Sequence, residues 1–372
     1  MINLNLNANN AITSIINSNL IEAISNRMEK FPIAKDFQLP VSLRINELRN
    51  KFLSIDKDWI INAISPYQLV VQQELKIDQE VVKILSIVSI AQRPKYSTLY
   101  VQVFADSLNG FKNYEARIKE VFKEHIIKGV IFSLRWAFSG NSGMDSVHIT
   151  ELYDDVIHNE CYPDITAKYS SVENFVQDYL ASDESVLVLQ GPAGTGKTRL
   201  IRAILADMGK TRIKEEKANS YDTWAANDDA PGASDGDEHP VALYTGDKKL
   251  LESEEIFATF VNANENILVI EDADLMLKPR TSGNDVMHHF LMVADGIIRG
   301  NGRKIIFTTN LANARDIDEA LIRPGRCYGL LNVRALNKTE SYRAINKIFP
   351  DNKIILSKDK YTIAELYNKK FD

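Results

Sequence analysis

The chain has 372 residues, enough for two or three domains with cores of their own, and its 45% hydrophobic and 25% charged residues are an ordinary globular composition. A formal charge of −6 argues against a global basic field for nucleic acid. Two distant cysteines, Cys161 and Cys327, give no metal-ligand spacing and fit a reduced, cytoplasmic setting, and no apolar run is long enough for a membrane span or a leader.

Taken in order, residues 11 to 31 carry apolar positions at Ile12, Ile15, Ile16, Leu20, Ile21, Ile24 and Met28, the spacing of an amphipathic helix. Helices are also predicted near 43–53 and 59–75. The texture then turns to β: Val81–Ala91 and Ser97–Phe104 read as strands joined through Gln92-Arg93-Pro94-Lys95. A helix over 113–127 and a strand over 130–137 complete an α+β amino-terminal domain, set at residues 1–165. Its scattered histidines, His125, His148 and His158, show no metal spacing. Arg93, Lys95 and Arg135 read as solvated sheet-edge cations, with a nucleic-acid surface as the lesser alternative.

The chemistry begins at Gly191-Pro192-Ala193-Gly194-Thr195-Gly196-Lys197-Thr198, which fits the phosphate-binding pattern G-x-x-x-x-G-K-[ST]. The apolar run Ser185–Gln190 before it reads as a buried parallel strand, and Arg199–Ala206 after it as a helix. Glycines let successive N–H groups face a phosphate, and the helix N-terminus adds its dipole. Lys197 would reach the β- and γ-phosphates, and Thr198 would hold Mg²⁺ through its hydroxyl. A polar, acidic stretch at about 209–240 reads as a mobile insertion.

Order returns with a strand at 241–245 and a helix near 253–262. Then Ile267-Leu268-Val269-Ile270 runs into Glu271-Asp272-Ala273-Asp274, an apolar strand delivering carboxylates at its end. One acid would position Mg²⁺ and the other the attacking water, without the sequence choosing between Glu271 and Asp272. Ile305–Asn310 is a further strand that places Asn310 near the γ-phosphate. Arg323 and Arg326 flank a Pro324-Gly325 turn, and guanidinium groups suit a developing phosphoryl charge. Residues 338–348, with Asn337 as N-cap, and 362–367 are predicted helices.

This set, in this order, resembles the AAA+ ATPases of the AAA subgroup. The resemblance covers about 172–333. It implies an α/β fold: a P-loop NTPase parallel sheet flanked by helices, residues 166–336, with a short helical lid at 337–372, preceded by the α+β domain. It also implies ATP and Mg²⁺ as cofactors, Asn310 as sensor 1, and Arg323 and Arg326 acting in trans within a homo-oligomer, usually a hexamer. The Ile270-Glu271-Asp272 order and the Phe290–Ile297 segment look most like the subgroup of the mitochondrial chaperone that translocates the Rieske protein, without its membrane segment. Where threading members carry an aromatic pore loop, this chain has Thr245-Gly246-Asp247-Lys248-Lys249. The expectation is an ATP-hydrolysing machine that remodels or translocates a protein. A nucleic-acid motor or loader and a slow nucleotide-dependent assembly switch are the alternatives.

Overall fold

The computed structural model describes residues 33–54, 59–77, 80–219, 240–280, 284, 303–350 and 354–368, and the helices expected at 11–31 and 290–297 lie outside them. The chain divides into two compact units, Met1–Lys128 and Gly129–Asp372.

The first unit is a five-stranded antiparallel sheet in the order β1-β5-β4-β3-β2. Its elements are β1 (Ile33–Val41), α1 (Ile45–Leu53), β2 (Ile60–Ser65), β3 (Gln68–Ile77), β4 (Glu80–Gln92), β5 (Ser97–Ala105) and α2 (Leu108–Phe122). Alternation decides the buried face: Val82, Ile84, Val88 and Ile90 of β4 meet Leu48 and Phe52 of α1 and Phe111, Tyr114, Ile118 and Phe122 of α2. The Ser107 side chain accepts from Gly110 N and caps α2 earlier than its apolar pattern suggests. The helix expected over 59–75 is instead the β2–β3 hairpin. Pro66 would break a helix there, and the Ile60-Ile61 and Val70-Val71 pairs favour a pleated surface.

The second unit holds a seven-stranded sheet in the order β12-β8-β11-β10-β9-β6-β7. Its strands are β6 (Val130–Gly140), β7 (Gly143–Tyr153), β8 (Val186–Gln190), β9 (Ala242–Thr245), β10 (Ile267–Ile270), β11 (Lys304–Thr309) and β12 (Cys327–Asn332). From β12 to β6 every neighbouring pair is parallel, and β7 closes one edge antiparallel to β6. The strand at 130–137, expected in the amino-terminal domain, therefore belongs to the same sheet as the phosphate-loop strand. The chain division between the compact units falls at Lys128/Gly129. Arg135, expected at a solvated sheet edge, turns inward instead, with Nε 2.6 Å from the deeply buried Glu265 carboxylate.

Helices cover both faces, as continuous apolar strands require. On one side lie α3 (Pro163–Tyr169), α4 (Val172–Ala181) and α5 (Lys197–Asn219), packing Ile165, Phe175, Tyr179, Leu200 and Ile204 against Leu187, Leu189 and Ile306. On the other, α6 (Lys248–Leu251) and α7 (Glu255–Asn262) pack Leu251, Ile256 and Phe260 against Val188, Leu268 and Phe307. α5 runs to Asn219, so the first part of the expected insertion is helical. The remainder, 220–239, lies outside the described residues.

The carboxyl-terminal region joins the first of these cores. β13 (Leu336–Asn337) pairs with β14 (Lys360–Tyr361), and α8 (Lys338–Ile348) and α9 (Ile363–Tyr367) contribute Ala344, Ile345, Ile363 and Leu366. α8 opens on a capping box between Asn337 and Glu340. Arg334 braces it: Nη1 and Nη2 donate to Glu340 at 2.8 and 2.9 Å, and Nε and Nη2 donate to Asp164 of α3 at 3.0 and 2.8 Å.

The guanidinium holds the Glu340 carboxyl below its ordinary pKa. That stabilisation is complete above the ordinary glutamate range and is lost as pH falls below that range, through the lowered folded value. Because Arg334 is about one-third exposed, Arg334→Ala should cost about 1 kcal/mol in urea unfolding at neutral pH, and the difference from the parent should close as acid protonates Glu340. Arg334→Lys should not restore it, since an ammonium lacks the planar fork.

Candidate nucleotide site

The site is built where parallel strands end. Gly191 follows β8, Glu271 follows β10 and Asn310 follows β11. Gly191 N donates to the Thr309 carbonyl at 3.0 Å, stitching the loop's start to the neighbouring strand. Gly191 has φ +151°, and a Cβ there would run into the Val333 carbonyl, so only glycine fits. Gly196, at φ +98°, lies under Tyr162, whose hydroxyl donates to the Gly196 carbonyl at 3.0 Å. Inside the loop the Thr195 hydroxyl donates to Pro192 O at 2.9 Å. Pro192, Ala193 and Gly194 are exposed, and Ala364 N at the start of α9 donates to Gly194 O at 2.9 Å, which sets the lid against the loop.

Lys197 is buried, and its ammonium donates to the Gly191 carbonyl, to Pro192 O at 3.0 Å and to Asn310 Oδ1 at 2.9 Å. Burial lowers its pKa from the ordinary lysine value, while the Asp272, Asp274 and Glu271 carboxylates pull the other way. The result is a cation in a ring of carbonyl and amide oxygens that incoming phosphate oxygens can replace.

The two adjacent acids separate. Glu271 accepts from Thr198 Oγ1 at 2.8 Å through Oε1 and from Tyr244 OH at 2.7 Å through Oε2. Asp272 turns the other way: its Oδ1 accepts from Asn310 Nδ2 at 3.2 Å. Its backbone has φ +51°, a left-handed conformation that aspartate tolerates better than most residues. Asp272 N donates to Thr308 Oγ1 at 2.9 Å and Ala273 N to Thr308 O at 2.9 Å, which hold the turn. Asp274 accepts from Thr309 Oγ1 at 2.6 Å and from Asn310 N at 2.8 Å, and so fixes the segment carrying Asn310.

Lys197, Thr198, Glu271, Asp272 and Asn310 are thus brought together. Arg323 and Arg326 are not. Arg326 O accepts from Val186 N, at the start of β8, whereas the phosphate loop follows its end. Five residues of strand separate them, roughly 15 Å. Arg323 is exposed on the turn, and Arg326 Nη1 donates to Ala320 O at 2.6 Å. The turn is anchored by the buried Asp318, which accepts from Arg280 N and Nε and from Ala320 N.

Residues 187–335 match the model of the AAA family, the ATPase family associated with various cellular activities. The match begins in the phosphate-loop strand and ends after Arg334, so it spans every residue of the cluster. An AAA domain supports nucleotide binding and ATP hydrolysis, and the sheet with its flanking helices is the α/β core of a P-loop NTPase. The match is to an AAA domain within the chain and does not support the Rieske-protein-translocating subgroup. No curated protein matches the chain. Among the described residues no helix is long and apolar enough to cross a membrane.

Sequence reasoning missed Tyr244, Thr308 and Asp274 as members of the site. Their only signal was position, near the ends of the strands that converge on the loop. The Thr245–Leu251 segment, the place of a pore loop, is a folded turn: Asp247 caps α6 by accepting from Lys249 N and Leu250 N, and its other oxygen accepts from Ser139 N of β6 at 2.7 Å.

The residues fit Mg·ATP. Among the described residues no three His, Cys, Asp or Glu side chains form a metal cluster, and Mg²⁺ is ordinarily held by one or two protein ligands completed by nucleotide phosphates. Thr198 and Glu271 could supply such a pair. Lys197→Ala should weaken ATP binding by about a hundredfold in a fluorescent-nucleotide titration, the loss of a desolvated charge on phosphate, while leaving the thermal melting of nucleotide-free protein within a few degrees of the parent.

Proposed function

We propose that the protein is an oligomeric, Mg·ATP-hydrolysing machine that uses turnover to remodel or translocate a protein substrate. The observation that carries this reading is the split site: binding and hydrolytic groups converge at one end of the sheet, while Arg323 stands exposed at the other. A guanidinium at that distance serves no nucleotide of its own chain. It suits the nucleotide of an adjacent copy, and a homo-oligomer with shared sites follows, a hexamer by family likeness.

In this mechanism the backbone N–H groups of 192–198 cradle the phosphates and Lys197 exchanges its carbonyl partners for β/γ oxygens. Thr198 and Glu271 would hold Mg²⁺, which supplies charge neutralisation on the phosphate oxygens. Asp272 is the base: its carboxylate takes the proton of the attacking water, and Asn310, bonded to both Asp272 and Lys197, orients that water toward the γ-phosphate. The neighbour's Arg323 stabilises the charge that develops on the transferred group.

Two measurements test the reading. Asp272→Asn should keep ATP affinity within about twofold and cut turnover by at least a hundredfold, the scale of a lost general base; Glu271→Gln should instead lose metal-dependent affinity. Arg323→Ala and Lys197→Ala should each be inactive alone. Mixed, they should recover activity, because one copy's intact phosphate loop can face the other's intact arginine. No recovery in a mixture shown by mass to co-assemble would rule out shared sites.

A further inference from the structure

We propose that Tyr244 is a positioning residue for the metal-side carboxylate, a phenol that fixes the Glu271 side chain so that one of its oxygens stays aimed at Thr198. The proposal rests on the Mg·ATP reading above and goes beyond it, since the motif that locates the site contains no tyrosine.

The argument starts from side-chain length. Glu271 has one more methylene than an aspartate and so one more free rotation, and an unrestrained carboxylate would lose entropy on fixing beside a metal. Here both its oxygens are already engaged, Oε1 by the Thr198 hydroxyl and Oε2 by the Tyr244 hydroxyl. The tyrosine is itself held. It is the third residue of β9, flanked in register by Val269 of β10 and by Trp136 of β6, and its ring packs against the core that Leu189, Ile201 and Val269 help to form. A phenol has one proton to donate and a carboxylate has only acceptors, so the contact runs from Tyr244 to Glu271.

The β6–β7 hairpin completes the brace. β6 lines the far side of β9, and Asp247, three residues beyond Tyr244, accepts from Ser139 N of β6. Glu255 accepts from Met144 N of β7 at 3.0 Å. The strand bearing Tyr244 is therefore clasped between β10 and the hairpin, and the phenol oxygen is presented to Glu271 by sheet rather than by loop. Groups that orient a metal-side ligand ordinarily change metal affinity by 10- to 100-fold when removed.

The test is metal binding, not turnover. Mn²⁺ is titrated by electron paramagnetic resonance into parent and Tyr244→Phe protein saturated with a non-hydrolysable ATP analogue. Tyr244→Phe should weaken Mn²⁺ binding about tenfold, leave analogue affinity in EDTA unchanged, and leave the thermal melt of the free protein near the parent's. In a Glu271→Asp background, where the shorter carboxylate cannot span both hydroxyls, Tyr244→Phe should change Mn²⁺ affinity no further. Equal Mn²⁺ affinity in parent and Tyr244→Phe would overturn the proposal, as would full additivity with Glu271→Asp or an equal loss of analogue binding in EDTA. A parent that binds no Mn²⁺ with the analogue present would overturn the Mg·ATP reading itself.

Discussion

In the register of the central strands, Gln190 of β8 lies beside Thr309 of β11, and Phe307 of β11 beside Ile270 of β10. The three strands therefore stop within two residues of one another. Each is buried along its length and apolar through its middle, so the polar groups of the site gather at and just beyond the strand ends. Gly191, Asn310 and Glu271 are the residues that follow. Gly191 N and Ala273 N then bond to β11 carbonyls, which extends the ladder into the catalytic turns. A slip of one residue between β10 and β11 would turn Glu271 away from Thr198 and separate Asp272 from Asn310 together.

The order Glu271-Asp272 is intelligible from the backbone. Position 272 is left-handed, where a short polar side chain is tolerated and a longer one gains no compensating local contact. Position 271 must bridge two hydroxyls on different elements, Thr198 on α5 and Tyr244 on β9, and an aspartate is a methylene shorter than the glutamate that does so. Each acid thus has the length its backbone and its partners ask for. The sharing of Asn310 between Asp272 and Lys197 then ties the two side chains together. Movement of Lys197 toward a nucleotide would release Asn310 for water.

Much of this was legible in local sequence, because local physics sets it. The glycine loop, the apolar strands ending in acids and Asn337 as a helix cap all depend on residues within a few positions of one another. The partnership of a strand is different. Residues 130–137 read as β from their own composition, but nothing in them says whether they join a sheet with 97–105 or with 242–245. The second pairing depends on Leu134, Arg135 and Trp136 meeting Ala242, Leu243 and Tyr244 more than a hundred positions away. A like distance hid Arg135 as a partner of Glu265, and even the 27 positions between Tyr244 and Glu271 lie beyond what local pattern reports. The helix predicted over 59–75 fails for a local reason instead, since Pro66 and the paired β-branched residues favour the β2–β3 hairpin.

The two arginines of the Pro324-Gly325 turn, treated alike in the sequence, are not equivalent. Arg326 donates to Ala320 O and helps to form the turn itself, on the stretch that Asp318 anchors to Arg280. Arg323 is exposed at the head of the same turn, and its own carbonyl accepts from Arg326 N and Cys327 N. One guanidinium therefore shapes the support and the other is displayed by it. This is the division a group acting on a neighbouring copy requires, because a long side chain costs entropy to fix unless its backbone is already rigid. In the assembly proposed above, it would also place the lever for communication between copies. The displayed arginine is linked through Cys327 and β12 to β8, and β8 ends in the phosphate loop. Strain at a neighbour's nucleotide would thus reach this chain's own loop along a single pair of parallel strands.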